Sequence, residues 1–194
     1  SLLSSPSWSA EMGDLVKREG IYYEKFTDVP FTGEIIRGLE QGSFKNGVKD
    51  GAWIGYHGNG QLGFKENFKN DKKEGAFVSY WDNGQLFYKG NFKNDKREGT
   101  WIRYWENGQL NYGGNYKNGK EEGLETRWYE TGGKEYEVHY KNGNQEGMET
   151  HWYESGKKES EVPWKNGKRE GLKTDWYESG KKKDEVLWEN GKSE

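Results

Sequence analysis

The chain repeats itself with a period of 24 residues. Pairs of an acidic residue and a glycine mark this period through six units, and an aromatic–Lys/Glu–Asn series keeps the same spacing. No insertion or deletion interrupts the six units, so one supersecondary unit sets the fold of most of the chain. The glycines of the acidic pairs are Gly51, Gly75, Gly99, Gly123, Gly147 and Gly171.

Each unit is predicted to form two short β-strands. Runs rich in Trp, Tyr, Phe, Ile and Val lie between the glycine-marked segments, and each run has the length of a strand. In residues 99–123, strict alternation predicts that Thr100, Ile102 and Tyr104 share one face with Leu110 and its alternate neighbours. The sequence therefore predicts an all-β fold: an elongated single antiparallel meander sheet of tandem 24-residue β-hairpins, with one apolar face.

Two kinds of turn separate the strands. A three-residue loop at 106–108 places Tyr104 opposite Leu110 and keeps the apolar residues on one face, whereas a two-residue Asn-Gly turn there puts them on opposite faces. The other phrase, "KNGKEEG", predicts a loop of three to five residues between consecutive hairpins.

Aromatic residues make a folded core credible in a polar chain. Hydrophobic residues amount to 30% and the mean hydropathy is -1.29, values that on their own favour disorder. The chain nevertheless carries 10 Trp, 13 Tyr and 8 Phe. Because each ring buries roughly 150–250 Å², a core built mostly of rings is expected.

The stretch "EGTWIRYWENGQLNYGGNYKNGK" at 98–120 resembles the MORN repeat variant family, particularly its bacterial toxin–antitoxin YwqK-type group. The stretch "GIYYEKFTDVPFTGEI" at 20–35 resembles the lead-in of that group. The resemblance implies a repeat scaffold with a protein partner. It predicts a lead-in and short capping repeat at 11–50 and six tandem repeats at 51–194.

The first residues, "SLLSSPSWSAE", resemble the tail of a secretory signal peptide that is cleaved after Ser9. We therefore interpret residues 1–10 as a signal-peptide remnant, with a disordered polar tail as the alternative. The first interpretation predicts a bacterial protein that is exported to the periplasm or the cell surface.

No catalytic constellation is evident in the sequence. His57, His139 and His151 occupy unrelated positions of the repeat, and the chain has no Cys, no Gly-rich phosphate loop and no nucleophile elbow. We therefore expect neither enzymatic activity nor a metal, a cofactor or a small-molecule substrate. With 30 basic and 33 acidic residues, the chain also lacks the charge excess of a nucleic-acid-binding protein.

The two halves of the repeat array differ in aromatic content. Early repeats carry large rings on the face that the alternation places opposite the core, whereas later repeats carry Glu125, Glu149 and Lys173 at one of these positions. An exposed aromatic patch is typical of an interaction site. The predicted partner-binding residues are Trp53, Phe77, Trp81, Trp101 and Trp105.

An alternative is that this aromatic face is a second core layer. It would then pack against the N-terminal segment around Ile21, Tyr22, Tyr23 and Phe26. Sequence alone leaves both alternatives open.

The favoured function is a non-catalytic protein–protein interaction scaffold, antitoxin-like or immunity-like by resemblance. An envelope or glycan-binding module that uses exposed aromatic residues is the alternative. Membrane association ranks third, because the sequence shows no basic stripe for anionic headgroups.

Overall fold

The computed structural model of the protein describes residues 9–193. Within this range the chain is all-β, mostly antiparallel, and contains one 3-10 turn but no α-helix, so the predicted fold class is confirmed. The predicted signal-peptide remnant lies outside the described residues except for Ser9 and Ala10, which form a short strand.

The chain divides into two compact units. Among the described residues, the first unit comprises 9–85 and Asn91–Lys96, and the second comprises Leu86–Gly90 and 97–193. A strand at Leu86–Lys93 contributes residues to both units, so the division does not coincide with a boundary between repeats.

The first unit begins with short strands that precede the regular repeats. The elements are β1 (Ser9–Ala10), the 3-10 turn (Met12–Asp14), β2 (Leu15–Arg18), β3 (Ile21–Glu24), β4 (Gly33–Ile35), β5 (Glu40–Lys45), β6 (Val48–Tyr56), β7 (Leu62–Lys69), β8 (Lys72–Lys73) and β9 (Gly75–Tyr80). β1 pairs with β4 in parallel, β2 and β3 form a separate two-stranded hairpin, and antiparallel pairing runs from β4 to β7.

The second unit is a regular succession of hairpins. Each long strand pairs with the next one along the chain, and each hairpin repeats the register of the one before it. The strand that both units share is β10 (Leu86–Lys93). The strands that follow are β11 (Lys96–Tyr104), β12 (Leu110–Lys117), β13 (Lys120–Glu121), β14 (Gly123–Trp128), β15 (Lys134–Lys141), β16 (Asn144–Trp152), β17 (Lys158–Lys165), β18 (Lys168–Arg169), β19 (Gly171–Trp176), β20 (Lys182–Glu189) and β21 (Lys192–Ser193).

The "KNG" phrase forms a two-residue turn, not the predicted loop of three to five residues. Lys117 pairs with Lys120, and the two residues between them, Asn118 and Gly119, have φ values of 53° and 83°. This conformation matches the right-handed twist of the adjoining strands, and Asn-Gly adopts it readily.

The "ENG" phrase forms the predicted three-residue loop. Trp105 donates its backbone N–H to the carbonyl of Gln109 at 2.7 Å, and within the loop a positive φ falls at Gly108. Tyr104 pairs with Leu110, as predicted.

A β-bulge beside this loop changes which residues share a face. Beyond the pair Tyr104–Leu110, the next pair is Arg103 with Tyr112, so Asn111 is an extra residue on β12. The same shift occurs in the other hairpins of the second unit. As a result Tyr112 lies on the face of Trp101, not on the face of Tyr104, and the predicted single apolar face was wrong.

The rings buried in the first unit form its core. Trp53 and Phe44 meet edge to face with 5.1 Å between ring centroids, and Phe31 and Ile35 belong to the same cluster. Tyr22 of the N-terminal segment packs against Phe44 at 4.8 Å. Trp53 therefore belongs to a core that includes Tyr22 of the N-terminal segment, as the alternative interpretation of the aromatic face expected, whereas Phe26 of that segment is fully exposed.

Candidate functional site

Two faces of the hairpins differ in what they bury. We call the face that carries Trp53 in the first unit and Trp101 in the second the core face, and the opposite side the outer face. Both of these Trp side chains are 0% exposed. The expectation that they lie opposite the core was therefore wrong, because the bulge places the buried Tyr112 and Tyr116 on the same face as Trp101.

Glycines make room for the buried indoles. A Cβ atom at Gly42 would lie 2.3 Å from the ring of Trp53, and one at Gly90 would lie 2.2 Å from the ring of Trp101. In later repeats Val138 occupies the position that corresponds to Gly90 and is fully buried. At the positions of Trp101 and Gly90, the later repeat thus carries Glu149 and Val138.

The side chains of the other predicted binding residues are partly buried. Phe77 is half-buried and meets Phe92 edge to face at 5.8 Å. Trp81 and Trp105 are also half-buried. The structure does not bring the predicted set together as one exposed patch, and a binding role for Phe77, Trp81 and Trp105 stays a prediction.

Trp105 has a structural role that the sequence did not reveal. Its Nε1–H donates to the backbone carbonyl of Trp128 at 2.9 Å, which joins one hairpin to the next. Tyr129 and Tyr153, at the same repeat position, donate their hydroxyls to carbonyls 23 residues further on, at 2.6 and 2.7 Å. His57 contacts the carbonyl of Tyr80 in the same way at 2.9 Å. The sequence feature that these four residues share is an aromatic ring that carries a polar atom.

The later part of the core face holds charged residues. Glu125 is buried and pairs with Arg127 at 2.9 Å, and burial raises the pKa of the Glu125 carboxyl above its ordinary value although Arg127 opposes the shift. Glu149 is also buried and contacts His151 at 2.8 Å. A charged pair thus replaces the aromatic residue of the early repeats.

Tyrosine hydroxyls are buried beside these carboxylates. The hydroxyl oxygens of Tyr112 and Tyr116 lie 2.9 Å apart. Burial, together with this hydrogen bond and the charge of Glu125, raises the pKa of Tyr112 well above its ordinary range. Burial likewise raises the pKa of Tyr136. Tyr112 and Tyr136 therefore keep their hydroxyl protons at neutral pH.

The outer face of the later repeats carries an exposed apolar row. Leu124, Met148 and Leu172 stand 24 residues apart on successive hairpins and are 38%, 47% and 49% exposed. We call these three residues the apolar row. Directly across from them on the paired strands lie His139, Pro163 and Leu187. Sequence reasoning missed the row because the alternation, read without the bulge, assigned Leu124 and Leu172 to the core.

Ion pairs run beside the apolar row on the same face. Each pair joins a lysine to a glutamate three residues later, and the lysine side chains are about half exposed. Positive and negative charges are therefore balanced along this surface. The pairs are Lys134–Glu137, Lys158–Glu161 and Lys182–Glu185.

Two further observations limit the chemistry of the described part of the chain. In residues 9–193, no three His, Asp or Glu side chains are grouped so that they could hold a metal ion. Over the same range, the structure has no helix with the length and apolar character needed to cross a lipid bilayer.

Comparison with known families agrees with the repeated hairpins. The model of the MORN repeat variant matches five consecutive segments, which together make up more than half of the chain. The matched segments are residues 49–70, 73–94, 97–118, 121–142 and 145–166. No curated protein matches the chain. The sixth hairpin, β19 with β20, repeats the register of the matched ones. The chain therefore belongs to the MORN repeat variant family.

Proposed function

We propose that the chain is a non-catalytic protein–protein interaction module whose partner binds the apolar row of the outer face. Repeats of this family commonly mediate interactions with proteins or membranes. The partner is another protein, and Leu124, Met148 and Leu172 contact it.

The exposure of the apolar row carries this proposal. At the same repeat position the earlier units hold Ala52, Ala76 and Thr100, so large apolar side chains appear there in the later units alone. When a partner covers an exposed Leu or Met, removal of apolar surface from water stabilises the complex by about 25 cal/mol for each Å² buried. A row of three such residues on adjacent hairpins is typical of an interaction surface.

Charge favours a protein over a lipid surface. The lysines beside the row are each paired with a glutamate, and the whole chain has a net charge of -3. Binding to anionic lipid rests on unpaired basic residues, each of which contributes about 1 kcal/mol near the membrane surface. The outer face lacks that excess, whereas balanced ion pairs suit the polar rim of a protein interface.

The test compares two sets of exposed apolar residues. The variant carries Leu124→Ser, Met148→Ser and Leu172→Ser. The control carries Val16→Ser, Val29→Ser and Ile36→Ser, which are exposed apolar residues outside the row. A protein partner is first isolated on the unaltered chain, and its affinity for each purified variant is then measured.

We expect the row variant to bind at least about 30-fold more weakly, since a central apolar anchor contributes roughly 2 kcal/mol. The control should keep its affinity. Equal affinities for both variants would contradict the proposal. Binding of the unaltered chain to vesicles of anionic phospholipid, in place of the protein, would assign the row to a membrane.

An antitoxin-like or immunity-like pairing is the finer form of this proposal, and it rests on the resemblance in sequence. Co-expression with a toxic product of a neighbouring gene tests it, because the chain should then restore growth. Export to the periplasm or cell surface and the lack of catalysis belong to the same proposal, and fractionation of the native host tests the first of them. The glycan-binding alternative loses its two central candidates, because Trp53 and Trp101 are buried.

A further inference from the structure

Exposed apolar side chains are concentrated near the start of the described chain. Between residues 40 and 109 every large apolar side chain is at least partly buried. Residues 16–39, in contrast, hold five exposed ones, and Phe26 is the most exposed of them. A concentration of this kind is typical of an interaction surface. The five residues are Val16, Phe26, Val29, Ile36 and Leu39.

The backbone holds Phe26 in a conformation that large side chains rarely adopt. Its φ is +68°, which lies in the left-handed region where residues other than glycine are strained. The side chain is fully exposed, so contacts within the chain do not compensate for this strain. Backbone strain that a fold maintains in this way is typical of functional positions.

Contacts on both sides of Phe26 fix its loop. The backbone N–H of Lys25 donates to the carbonyl of Asp14 at 2.9 Å. The guanidinium of Arg18 donates to the carbonyl of Thr27 and pairs with the carboxylate of Asp28 at 2.7 Å. The exposed ring is therefore presented on an ordered loop, which reduces the entropy that is lost when the ring binds.

A cavity that suits one side chain lies on the outer face of the same unit. Ile36, Ala52 and Ile54 line it, and its volume is about 220 Å³. Small-molecule sites have roughly 300–1,000 Å³, so a single side chain fits this cavity better. Ala52 occupies the repeat position at which later repeats carry the apolar row. The small side chain of Ala52 therefore leaves this space open.

Opposite charges accompany the ring and the cavity. Lys25 directly precedes Phe26 and is exposed, and Glu34 lines the cavity and is also exposed. The ion pairs between residues 9 and 39 leave both charges without a partner among the described residues. The two charges are complementary if the ring of one copy of the chain enters the cavity of another copy.

We propose that two copies of the chain form a symmetric dimer in which Phe26 of each copy occupies the outer-face cavity of the other. Lys25 of one copy then pairs with Glu34 of the other. A two-fold axis makes each contact twice, so one loop and one cavity in each chain are sufficient for a closed dimer. The interface lies in the first unit, so it does not rest on the function proposed for the apolar row.

Sedimentation equilibrium of the full chain measures the association. We expect dimers with a dissociation constant below about 100 µM, since two buried rings anchor the interface. Ala52→Leu fills the cavity with the side chain that Leu124 has at this position in a later repeat, and it should weaken the dimer at least about 30-fold. Ala76→Leu makes the same change one repeat further along, outside the cavity, and should leave the dimer unchanged.

Phe26→Gly separates association from folding. Glycine adopts a positive φ without strain, so the monomer of this variant should be at least as stable to heat as the monomer of the unaltered chain. The dimer should nevertheless weaken at least about 30-fold, because the ring is lost. The control variant for the apolar row changes Ile36, so it should also lose the dimer but keep its affinity per chain for the partner of the row.

Charge reversal tests the contact between Lys25 and Glu34. Lys25→Glu and Glu34→Lys each bring like charges together in the dimer, and each should weaken it about tenfold. A chain that carries both substitutions restores opposite charges and should recover the affinity. A double variant that associates as weakly as the single variants would overturn the proposed pairing of loop and cavity.

The proposal is overturned if the unaltered chain is monomeric at about 500 µM, a concentration well above the expected dissociation constant. Phe26 would then belong to an interface with a different protein. A dimer that keeps its affinity in Phe26→Gly or in Ala52→Leu also overturns the proposal. Oligomers that grow beyond a dimer with concentration overturn the symmetric arrangement, because a contact that does not close propagates.

Discussion

The carboxylate of Glu98 accepts a hydrogen bond of 2.8 Å from the backbone N–H of Asn118, so an acidic residue in one repeat holds the turn of the next. The relationship recurs in every repeat. It explains why the acidic–glycine pair marks the period, because the acid stabilises a turn 20 residues later. The equivalent pairs are Asp50–Asn70, Glu74–Asn94, Glu122–Asn142, Glu146–Asn166 and Glu170–Asn190.

Loss of this hydrogen bond should destabilise the array. We expect Glu98→Ala to lower the free energy of unfolding by about 1–2 kcal/mol, because a charged acceptor of a backbone N–H is removed. Glu98→Gln retains an acceptor and should lose less. Urea unfolding of the two variants measures the difference, and identical stabilities would show that this hydrogen bond contributes nothing.

Two glycines of one hairpin should differ in their tolerance of a side chain. Gly99 has a φ of +70° with open space around a Cβ atom, so only backbone conformation opposes a substitution there. We expect Gly99→Val to cost about 1–3 kcal/mol through strain at positive φ. Gly113 has no such φ, and a Cβ atom would lie 3.4 Å from the ring of Trp128.

Gly113→Val should therefore cost less than Gly99→Val, since Glu137 and Glu161 occupy the same repeat position as Gly113. Thermal unfolding of both variants under one buffer condition gives the comparison. Equal losses of stability would mean that space, not backbone conformation, limits both positions.

Trp105 should tolerate tyrosine better than phenylalanine. The indole N–H donates to the carbonyl of Trp128, and Tyr129 and Tyr153 perform the same role with a hydroxyl in later repeats. We expect Trp105→Phe to be about 1 kcal/mol less stable than Trp105→Tyr, which is the typical net contribution of one hydrogen bond. Denaturant unfolding of the two variants checks this, and the reverse order would contradict the structural role of the N–H group.

Alkaline pH should destabilise the protein through Tyr112. The folded state raises the pKa of Tyr112 above its ordinary value of 10.0, so above that pH the unfolded chain releases a proton that the folded chain keeps. The contribution of Tyr112 to the free energy of unfolding is thus fully present below pH 10. Above pH 10 it falls by about 1.4 kcal/mol per pH unit. Unfolding free energies of the wild type and of Tyr112→Phe, measured on both sides of pH 10, give the difference in slope. A wild type with the same slope as the variant would refute the assignment.

Much of the local structure follows from sequence because it depends on neighbouring residues. The spacing of glycines and aromatics determined the period, the two strands of each unit and the all-β class. The pairing of Tyr104 with Leu110 also followed, since loop length fixes which residues face each other at the end of a hairpin.

The candidate interaction surfaces could not be predicted from the sequence in the same way. Asn-Gly forms a two-residue turn at Asn118 but part of a three-residue loop at Asn107, so the dipeptide alone does not select the turn. The bulge at Asn111 likewise has no mark in the alternation, although it moves every later residue of the strand to the other face.

The sequence by itself therefore determined that this protein is a tandem array of β-hairpins, because period and turn chemistry are local properties. Tertiary structure alone decided that Trp101 is buried and that Leu124 is exposed. The physical reason is that a strand has a side-chain period of two residues, so a single extra residue exchanges the core face and the outer face. The buried indole of Trp101 also needs a residue without a side chain beside it. Gly90 meets this need, and strand pairing brings the two residues together.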